Sequence, residues 1–217
     1  MKIGINKMHY PVTTLGYGRR VGIWVQGCTL HCSGCISKDT WEFDPVREAE
    51  VNVIAFALSS WLKMADGLTI SGGEPFDQPQ GLHELLRIVR PMMTGDILVF
   101  SGYRKSLLNS KYPEILAFVD VLIDGPFNPD AGQSMVLRGS DNQTINLLSE
   151  TAALRYSTDI NNLRWQGHRR MDIVVDEDTL WLAGIPELES MPRFREELVL
   201  RGFDCTTSDQ FQPLVRA

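Results

Sequence analysis

The sequence lacks the features that mark several large classes of protein. It contains no run of about 18 consecutive apolar residues, so no segment is predicted to cross a membrane. Its first residues, MKIGINKMHYPVTT, contain no apolar core of the kind that a signal peptide needs. It also contains no internal repeat, low-complexity tract or obvious linker. These absences favour a globular protein of the cytoplasm.

The chain carries fewer positively than negatively charged side chains. The 21 Lys and Arg residues are outnumbered by 27 Asp and Glu residues, and the net charge is −6. Because non-specific binding to nucleic acid requires a basic surface, a nucleic-acid partner is not expected. A chain of 217 residues is long enough to bury an apolar core without disulfide bonds. In a reducing compartment, clustered cysteines are more often metal ligands than disulfide partners.

A second cysteine pair is missing as well. Cys28, Cys32 and Cys35 lie together in GCTLHCSGC, and the fourth cysteine, Cys205, is distant in sequence. A structural zinc site needs four ligands, and His31 as the fourth would have to turn toward the same ion as its neighbour. That zinc site stays the lesser alternative. Three thiolates instead suit a [4Fe–4S] cluster whose remaining iron is open to an external ligand.

Strand-like and helix-like segments alternate along the first two thirds of the chain. Apolar strand-like runs occupy 20–27, 67–75, 96–102 and 119–127, and helical spacing of apolar residues occurs at 47–63, 82–89 and 113–120. This alternation predicts an α/β fold with a mostly parallel sheet. In such folds the functional site lies at the carboxyl ends of the strands.

Polar or metal-binding residues follow directly after each of these four strands. They are Cys28, Gly72-Gly73-Glu74, Ser101 and Asp124. Because the carboxyl ends of parallel strands meet at one edge of the sheet, we expect these residues to share one rim. The rim is therefore the predicted site.

The order of these motifs resembles that of the radical S-adenosylmethionine (SAM) enzymes. The CxxxCxxC spacing after the first strand and SGGEP after the second are typical of that superfamily. The segments GYGRRVGIWVQGC, DTW, FSGY, VLIDGPF and LRGSDNQ resemble one branch of it, the glycyl-radical activating enzymes, and above all the anaerobic ribonucleotide reductase activating enzymes. The resemblance runs from about residue 9 to residue 148.

The resemblance implies a role for each motif. It implies that Cys28, Cys32 and Cys35 hold the cluster and that SAM binds its open iron. The implied contacts to SAM come from Gly34, Cys35 and Ile36 beside the adenine, Gly72, Gly73 and Glu74 at the ammonium group, Ser101 and Asp124 as polar contacts, and Arg138 at the carboxylate. Taken alone, SGGEP also fits a plain turn, Ser101 and Asp124 fit loop hydrogen bonds, and Arg138 fits an ion pair within the chain.

The resemblance also implies a fold and an activity. The fold is a partial (β/α)6 barrel over 1–155. The chain departs from the family beyond it, and we expect residues 156–217 to form a C-terminal extension packed on the barrel. The activity is reductive cleavage of SAM to a 5′-deoxyadenosyl radical, which abstracts hydrogen from a glycine of a glycyl-radical partner enzyme. A one-electron donor such as flavodoxin or ferredoxin is implied, and neither a nucleic acid nor a membrane is expected as a partner.

Two other functions stay open. One is a radical SAM enzyme that modifies a peptide or a small molecule without a glycyl-radical partner. The other is a non-enzymatic iron–sulfur or zinc module, which would leave SGGEP and RGSDNQ unexplained.

The last third of the chain reads as a small ββα unit. Residues 170–186 predict two strands around an Asp-Glu-Asp turn, and 187–203 predict a helix that ends at Gly202. The unit either covers an open edge of the sheet or holds a substrate. A glycyl-radical partner requires the extension to leave the site open, whereas a small substrate predicts an extension folded over the site.

Overall fold

A seven-stranded mixed sheet forms the centre of the protein. The structure is a computed structural model and describes residues 1–177, 179–188 and 190–211. The strands of this sheet are β1 (Lys2–Val12), β2 (Arg20–Val25), β3 (Glu48–Glu50), β4 (Gly67–Gly72), β5 (Asp96–Ser101), β6 (Val121–Asp124) and β7 (Thr144–Leu147). Their order across the sheet is β3-β1-β2-β4-β5-β6-β7.

The four central strands, β2, β4, β5 and β6, are parallel neighbours. Their apolar residues are almost completely buried, as in strands covered on both faces. The helices are α1 (Val51–Met64), α2 (Pro79–Val89), α3 (Lys105–Lys111), α4 (Pro113–Leu116) and α5 (Glu150–Arg155). The predicted α/β class with a mostly parallel centre is confirmed.

The margins of the sheet differ from the prediction. β1 and β7 pair antiparallel with β2 and β6, and neither strand was predicted. Helix α1 begins at Val51 rather than at 47, because residues 48–50 pair with β1 as an edge strand. Helix α4 is shorter than the predicted 113–120, because the chain turns at Phe118 and Val119 to reach β6.

A buried ion pair lies at the amino ends of the parallel strands. Arg20 and Asp96 are fully buried, and Nη2 of the arginine lies 2.8 Å from Oδ2 of the aspartate. Arg155 forms a second ion pair with Asp96 at 3.0 Å, and the hydroxyl of Tyr156 donates to the same carboxylate. The charges at this end of the sheet are therefore paired within the chain.

The C-terminal extension forms a separate two-stranded hairpin followed by a helix. The hairpin consists of β8 (Met171–Asp176) and β9 (Thr179–Gly184), and the helix is α6 (Ser190–Leu200). The two predicted strands are confirmed, and the helix is confirmed with narrower bounds than the predicted 187–203. Asp178 of the turn lies outside the described residues. In the described part of the chain the hairpin pairs with neither edge strand of the large sheet, so it does not extend a sheet edge.

No helix in residues 1–177, 179–188 or 190–211 has the length and apolar content that a membrane span requires.

Candidate active site: a cavity at the carboxyl ends of the parallel strands

The predicted rim residues meet around one cavity of about 510 Å³. The parallel registers bring the strand ends side by side, with Val25 of β2 beside Gly72 of β4 and Ser101 of β5 beside Asp124 of β6. The predicted site residues that line the cavity are Cys28, Cys32, Gly34, Cys35, Ile36, Gly72, Gly73, Glu74 and Ser101. The expectation of a shared rim is confirmed for Cys28, Gly72-Gly73-Glu74 and Ser101, whereas Asp124 does not line the cavity.

The base of the cysteine loop is closed by the DTW segment. The backbone N–H of Gly27 donates to the carbonyl of Thr40 at 2.7 Å, and the N–H of Cys28 donates to the carbonyl of Trp41 at 2.9 Å. These two bonds pin the chain that leaves the loop against the chain that enters it. The DTW segment therefore has a structural role that its position after the cysteines did not reveal.

A second anchor holds the loop from outside. The carboxylate of Asp77 accepts hydrogen bonds from the N–H and the hydroxyl of Thr29, at 2.7 and 2.9 Å. The hydroxyl of Tyr103 also donates to Asp77, at 2.6 Å. Burial, helped by this bond, raises the pKa of Tyr103 to about 12, so the phenol stays a donor. Sequence reasoning missed Asp77, although it follows SGGEP directly in the segment EPFD.

His31 takes no part in the cavity wall. Its φ of 44° places it in the left-handed region, and its ring stacks on that of Trp41 with centroids 4.5 Å apart. The imidazole is thus held on the aromatic side of the loop.

The two glycines of SGGEP allow a close approach of backbones. A side chain at Gly73 would place its Cβ 2.1 Å from the carbonyl oxygen of Gly27, and Gly72 has a φ of 100°. The N–H of Gly73 donates to the carbonyl of Val25, and that of Glu74 donates to the carbonyl of Gly27, both at 2.9 Å. SGGEP therefore does more than turn the chain, because it locks the end of β4 beneath the cysteine loop.

Glu74 is a buried carboxyl group held by neutral donors. Its side chain accepts from the N–H of Phe76 at 3.0 Å, the hydroxyl of Ser101 at 2.9 Å and the N–H of Gly102 at 2.7 Å. Burial raises the pKa of Glu74 to about 7, against the opposing effect of these bonds. A cationic ligand in the cavity would favour the carboxylate form.

The RGSDNQ segment supports the far wall of the cavity. The side-chain oxygen of Gln143 accepts from the N–H groups of Gly139 and Ser140, and its amide nitrogen donates to the carbonyl of Gly125. This frame carries Phe127, whose ring would lie 3.2 Å from a Cβ at Gly34. The segment thus presses an aromatic ring against the cysteine loop.

Asp124 and Arg138 lie behind this wall rather than in it. Asp124 is buried and accepts from the N–H of Lys105 and from the amide of Asn146, each at 2.8 Å. The guanidinium group of Arg138 donates to the carbonyls of Gln143 and Asn161, both at 2.8 Å. Their predicted contacts to SAM stay predictions.

Comparison with known proteins decides the family. Residues 14–146 match the family described as 4Fe-4S single cluster domain. The chain is 32% identical over 149 residues to the anaerobic ribonucleoside-triphosphate reductase-activating protein of Escherichia coli K12, covering 64% of this chain and 96% of that protein. The chain belongs to the family of these activating proteins. It is accordingly a radical SAM enzyme, with a [4Fe–4S] cluster and SAM as its cofactors.

Other members of the activating-protein family are similarly related. The Haemophilus influenzae protein is 36% identical over 149 residues, covering 63% of this chain and 94% of its own. The protein of phage T4 is 33% identical over 136 residues, covering 60% and 85%. Among solved structures, QueE from Escherichia coli gives a TM-score of 0.41 at 21% identity, covering 47% of this chain and 53% of that one.

The residues present fit the cluster of this family. The three thiols of the loop are free and line the same cavity. Burial raises the pKa of Cys28 to about 11 and also raises that of Cys35, so metal binding must displace their protons. In the described ranges no three Cys, His, Asp or Glu side chains are assembled as a finished metal site.

The C-terminal extension supplies part of the cavity wall. Residues 182–188 line it, as do Met191, Pro192 and Asp209. The side chain of Gln133 holds this segment, because it donates to the carbonyl of Pro186 and accepts from the N–H of Leu188, both at 3.0 Å. On the other side, the hydroxyl of Ser208 donates to the carbonyl of Ile36 at 2.5 Å. The extension is thus seated on the site rather than on a sheet edge.

Proposed function

We propose that this protein activates a glycyl-radical enzyme of the anaerobic ribonucleoside-triphosphate reductase class. The observation that carries the proposal is the meeting of three free thiols and a buried carboxyl group around one cavity, in a chain of the activating-protein family. When bound, the cluster supplies one electron for the reductive cleavage of SAM. The protein binds, orients and shields the reacting groups.

The proposed roles follow the positions of the residues. Cys28, Cys32 and Cys35 would hold three irons, and Gly34, Cys35 and Ile36 would contact the adenine. Glu74 would accept a hydrogen bond from the ammonium group of SAM, beside Gly72 and Gly73. Ser101 would orient Glu74 through the hydrogen bond they already share. The proposed set also includes two residues that lie behind the cavity wall. They are Asp124 as a polar contact to SAM and Arg138 at the carboxylate of SAM.

The barrel architecture and the boundary of the C-terminal extension are part of the same proposal. We infer that the sheet is the partial (β/α)6 barrel of radical SAM enzymes, formed by residues 1–155. Residues 156–217 would form a distinct extension, which is supported by the separate sheet of β8 and β9. A cytoplasmic location, a flavodoxin-like or ferredoxin-like electron donor, and the absence of nucleic-acid and membrane partners complete the proposal.

Anaerobic reconstitution tests this function. The protein should bind about four irons, give an EPR signal on reduction that changes when SAM is added, and release 5′-deoxyadenosine and methionine. Mixed with the anaerobic reductase of its own organism, it should generate the glycyl-radical doublet. Stoichiometric zinc without iron would contradict the cluster, and SAM cleavage without a doublet would contradict the activating role.

The reconstituted protein also allows a test of the role of Glu74. Replacement by alanine removes a charged hydrogen-bond acceptor, and we expect the affinity for SAM to fall by about 1.5–3 kcal/mol. Binding is measured calorimetrically on the cluster-loaded protein. Glu114→Ala, an exposed position on α4, serves as the control. An unchanged affinity in Glu74→Ala would show that the assigned contact is wrong.

One observation favours a second candidate function. Residues 182–188 of the extension stand in the cavity wall, as expected for a site that encloses a small molecule or a peptide. A radical SAM enzyme with such a substrate would share every cofactor role above. Absence of the glycyl doublet, together with intact SAM cleavage, would select this alternative.

A further inference from the structure

The β8–β9 hairpin has one apolar face that is exposed to solvent. Val175 pairs with Leu180, and Ile173 pairs with Leu182. Because paired residues and residues two apart share a face, these four side chains form one surface, which we call the hairpin face. Val175 is 75% exposed, Ile173 57% and Leu180 41%. Three neighbouring apolar side chains exposed to this extent are typical of an interaction site.

The opposite face of the hairpin is firmly attached to the body of the protein. The carboxylate of Asp172 accepts from the N–H and the hydroxyl of Thr13, both at 2.7 Å. The ring of Trp181 packs edge-on against Trp24 with centroids 4.8 Å apart. The hairpin face is therefore held in one orientation and is not turned inward by packing.

The hairpin face runs directly into the active-site cavity. Leu182 is the one member of the face that lines the cavity, whereas its three companions continue outward from it. A small substrate would be held inside the cavity and would not need the surface beyond Leu182. A polypeptide that inserts one residue into the cavity must lie across the surface beside it.

The hairpin belongs to the part of the chain that lies beyond the family match. That match ends at residue 146, and the Escherichia coli relative is aligned over 96% of its length while covering only 64% of this chain. The surface around the cavity is thus enlarged in this chain by a segment outside the family match.

We propose that the hairpin face docks the partner polypeptide whose glycine enters the cavity. This proposal rests on the proposed function and adds the surface that the partner uses. The occupant is an extended segment with apolar side chains next to its target glycine, packed on Ile173, Val175 and Leu180. The continuity of the face with the cavity selects this occupant over a second copy of the chain.

The test replaces the exposed apolar pair at the outer end of the face, next to the hairpin turn. Val175→Thr combined with Leu180→Thr keeps residues that favour strands and removes apolar contact area. The matched control is Val53→Gln with Phe56→Gln, because these residues are 63% and 81% exposed on α1 and lie outside the cavity wall. Ile173→Thr is a milder second variant, and thermal unfolding confirms that each variant is folded.

The readouts are partner affinity and SAM cleavage without the partner. For the purified anaerobic reductase of the same organism, we expect the threonine pair to raise the dissociation constant about tenfold. The glutamine pair should stay within about twofold of wild type. SAM cleavage in the absence of the reductase should be unchanged in every variant, because none of the substituted residues lines the cavity.

The outcomes separate the two proposals. If wild type and the threonine pair bind the reductase equally well and both generate the glycyl radical, the docking proposal is overturned and the activating function stands. If sedimentation shows a wild-type dimer that the threonine pair dissociates, the face joins copies of the chain and docking is likewise overturned. If wild type cleaves SAM but neither binds the reductase nor yields the radical, the activating function fails, and docking fails with it.

Discussion

The two ends of the parallel strands bury carboxyl groups in opposite ways. At the amino end, Asp96 is fully buried beside Arg20 and Arg155, so its charge is neutralised within the chain. At the carboxyl end, Glu74 is 1% exposed and accepts hydrogen bonds from neutral groups only. In the part of the chain that the structure describes, no basic side chain forms an ion pair with Glu74. The charge of Asp96 is therefore paired within the chain, whereas Glu74 has no ion-pair partner among the described residues.

Asp96 therefore contributes to the stability of the sheet, whereas Glu74 is available to a ligand. A paired buried charge holds strands together and has no capacity for a ligand. A buried carboxyl group without a cation is costly to ionise, and a cationic ligand relieves that cost. The carboxyl end also holds the thiols and the SGGEP glycines, which pack backbones closely but add no apolar side chains. In barrels of parallel strands, this division between the two ends is the usual one.

The largest expected effect concerns the thiols of the carboxyl end. Replacing Cys28, Cys32 or Cys35 by alanine removes one of the three proposed cluster ligands, and we expect loss of the cluster and of all SAM cleavage. Iron content and EPR after anaerobic reconstitution measure the effect. Cys205→Ala is the matched control and should keep wild-type iron content. A loop variant that retains four irons and activity would show that the ligand assignment is wrong.

The next effect concerns the amino end. Asp96→Ala leaves the buried guanidinium of Arg20 without its carboxylate, and we expect the free energy of unfolding to fall by about 3–5 kcal/mol. Chemical denaturation of the cluster-free protein measures it. Asp130→Ala, on the loop after β6, is the exposed control. If the folded fraction of Asp96→Ala cannot bind SAM, then Asp96 also supports the site at the carboxyl end, and the two ends do not have separate roles.

A pH dependence should distinguish Glu74 from other carboxyl groups. Its pKa is about 7 in the folded chain against an ordinary value of 4.5. Between these values the folded chain binds more protons than the unfolded chain, so stability falls as pH rises from about 4.5 to about 7. The loss is at most about 3 kcal/mol. The stability of Glu74→Gln should lack this contribution, whereas exposed Glu114→Gln should keep it. Parallel curves for wild type and Glu74→Gln would contradict the raised pKa.

The smallest effect concerns the outer anchor of the cysteine loop. Asp77→Ala removes the acceptor of both Thr29 bonds and of the Tyr103 bond. We expect the cluster to be lost to a chelator at least roughly tenfold faster, because even one charged hydrogen bond is worth about 1.5–3 kcal/mol. Tyr103→Phe removes one bond of the three and should have a smaller effect. Equal rates in all three proteins would mean that Asp77 does not anchor the loop.

Several elements of the site were predictable because their signals are local. The alternation of apolar strands and helices predicted the parallel centre, because the spacing of apolar residues within each segment distinguishes a strand from a helix. The position of each polar motif directly after a strand then predicted the shared rim. The cysteine spacing pointed to a cluster with one open iron because it is a short motif with its own chemistry. The SGGEP segment pointed to SAM only through the resemblance to radical SAM enzymes.

Other features depend on contacts between distant segments. The antiparallel strands β1 and β7 carry weak local patterns and are recognised by their pairing with β2 and β6. Two of the three hydrogen bonds to Glu74 come from Ser101 and Gly102, at the end of the next strand in the sheet. Asp77 is an ordinary surface acid in sequence and becomes a loop anchor only where the fold brings Thr29 to it.

The sequence by itself determined the chemistry of this protein, because cluster ligands, glycines and carboxyl groups are specified residue by residue. The tertiary structure alone decided where the extension lies and how the two ends of the strands differ. Asp172 and Trp181 seat the hairpin on Thr13 and Trp24, more than 140 residues earlier in the chain. Contacts over such separations form only when the whole sheet has assembled, and no local period or motif encodes them.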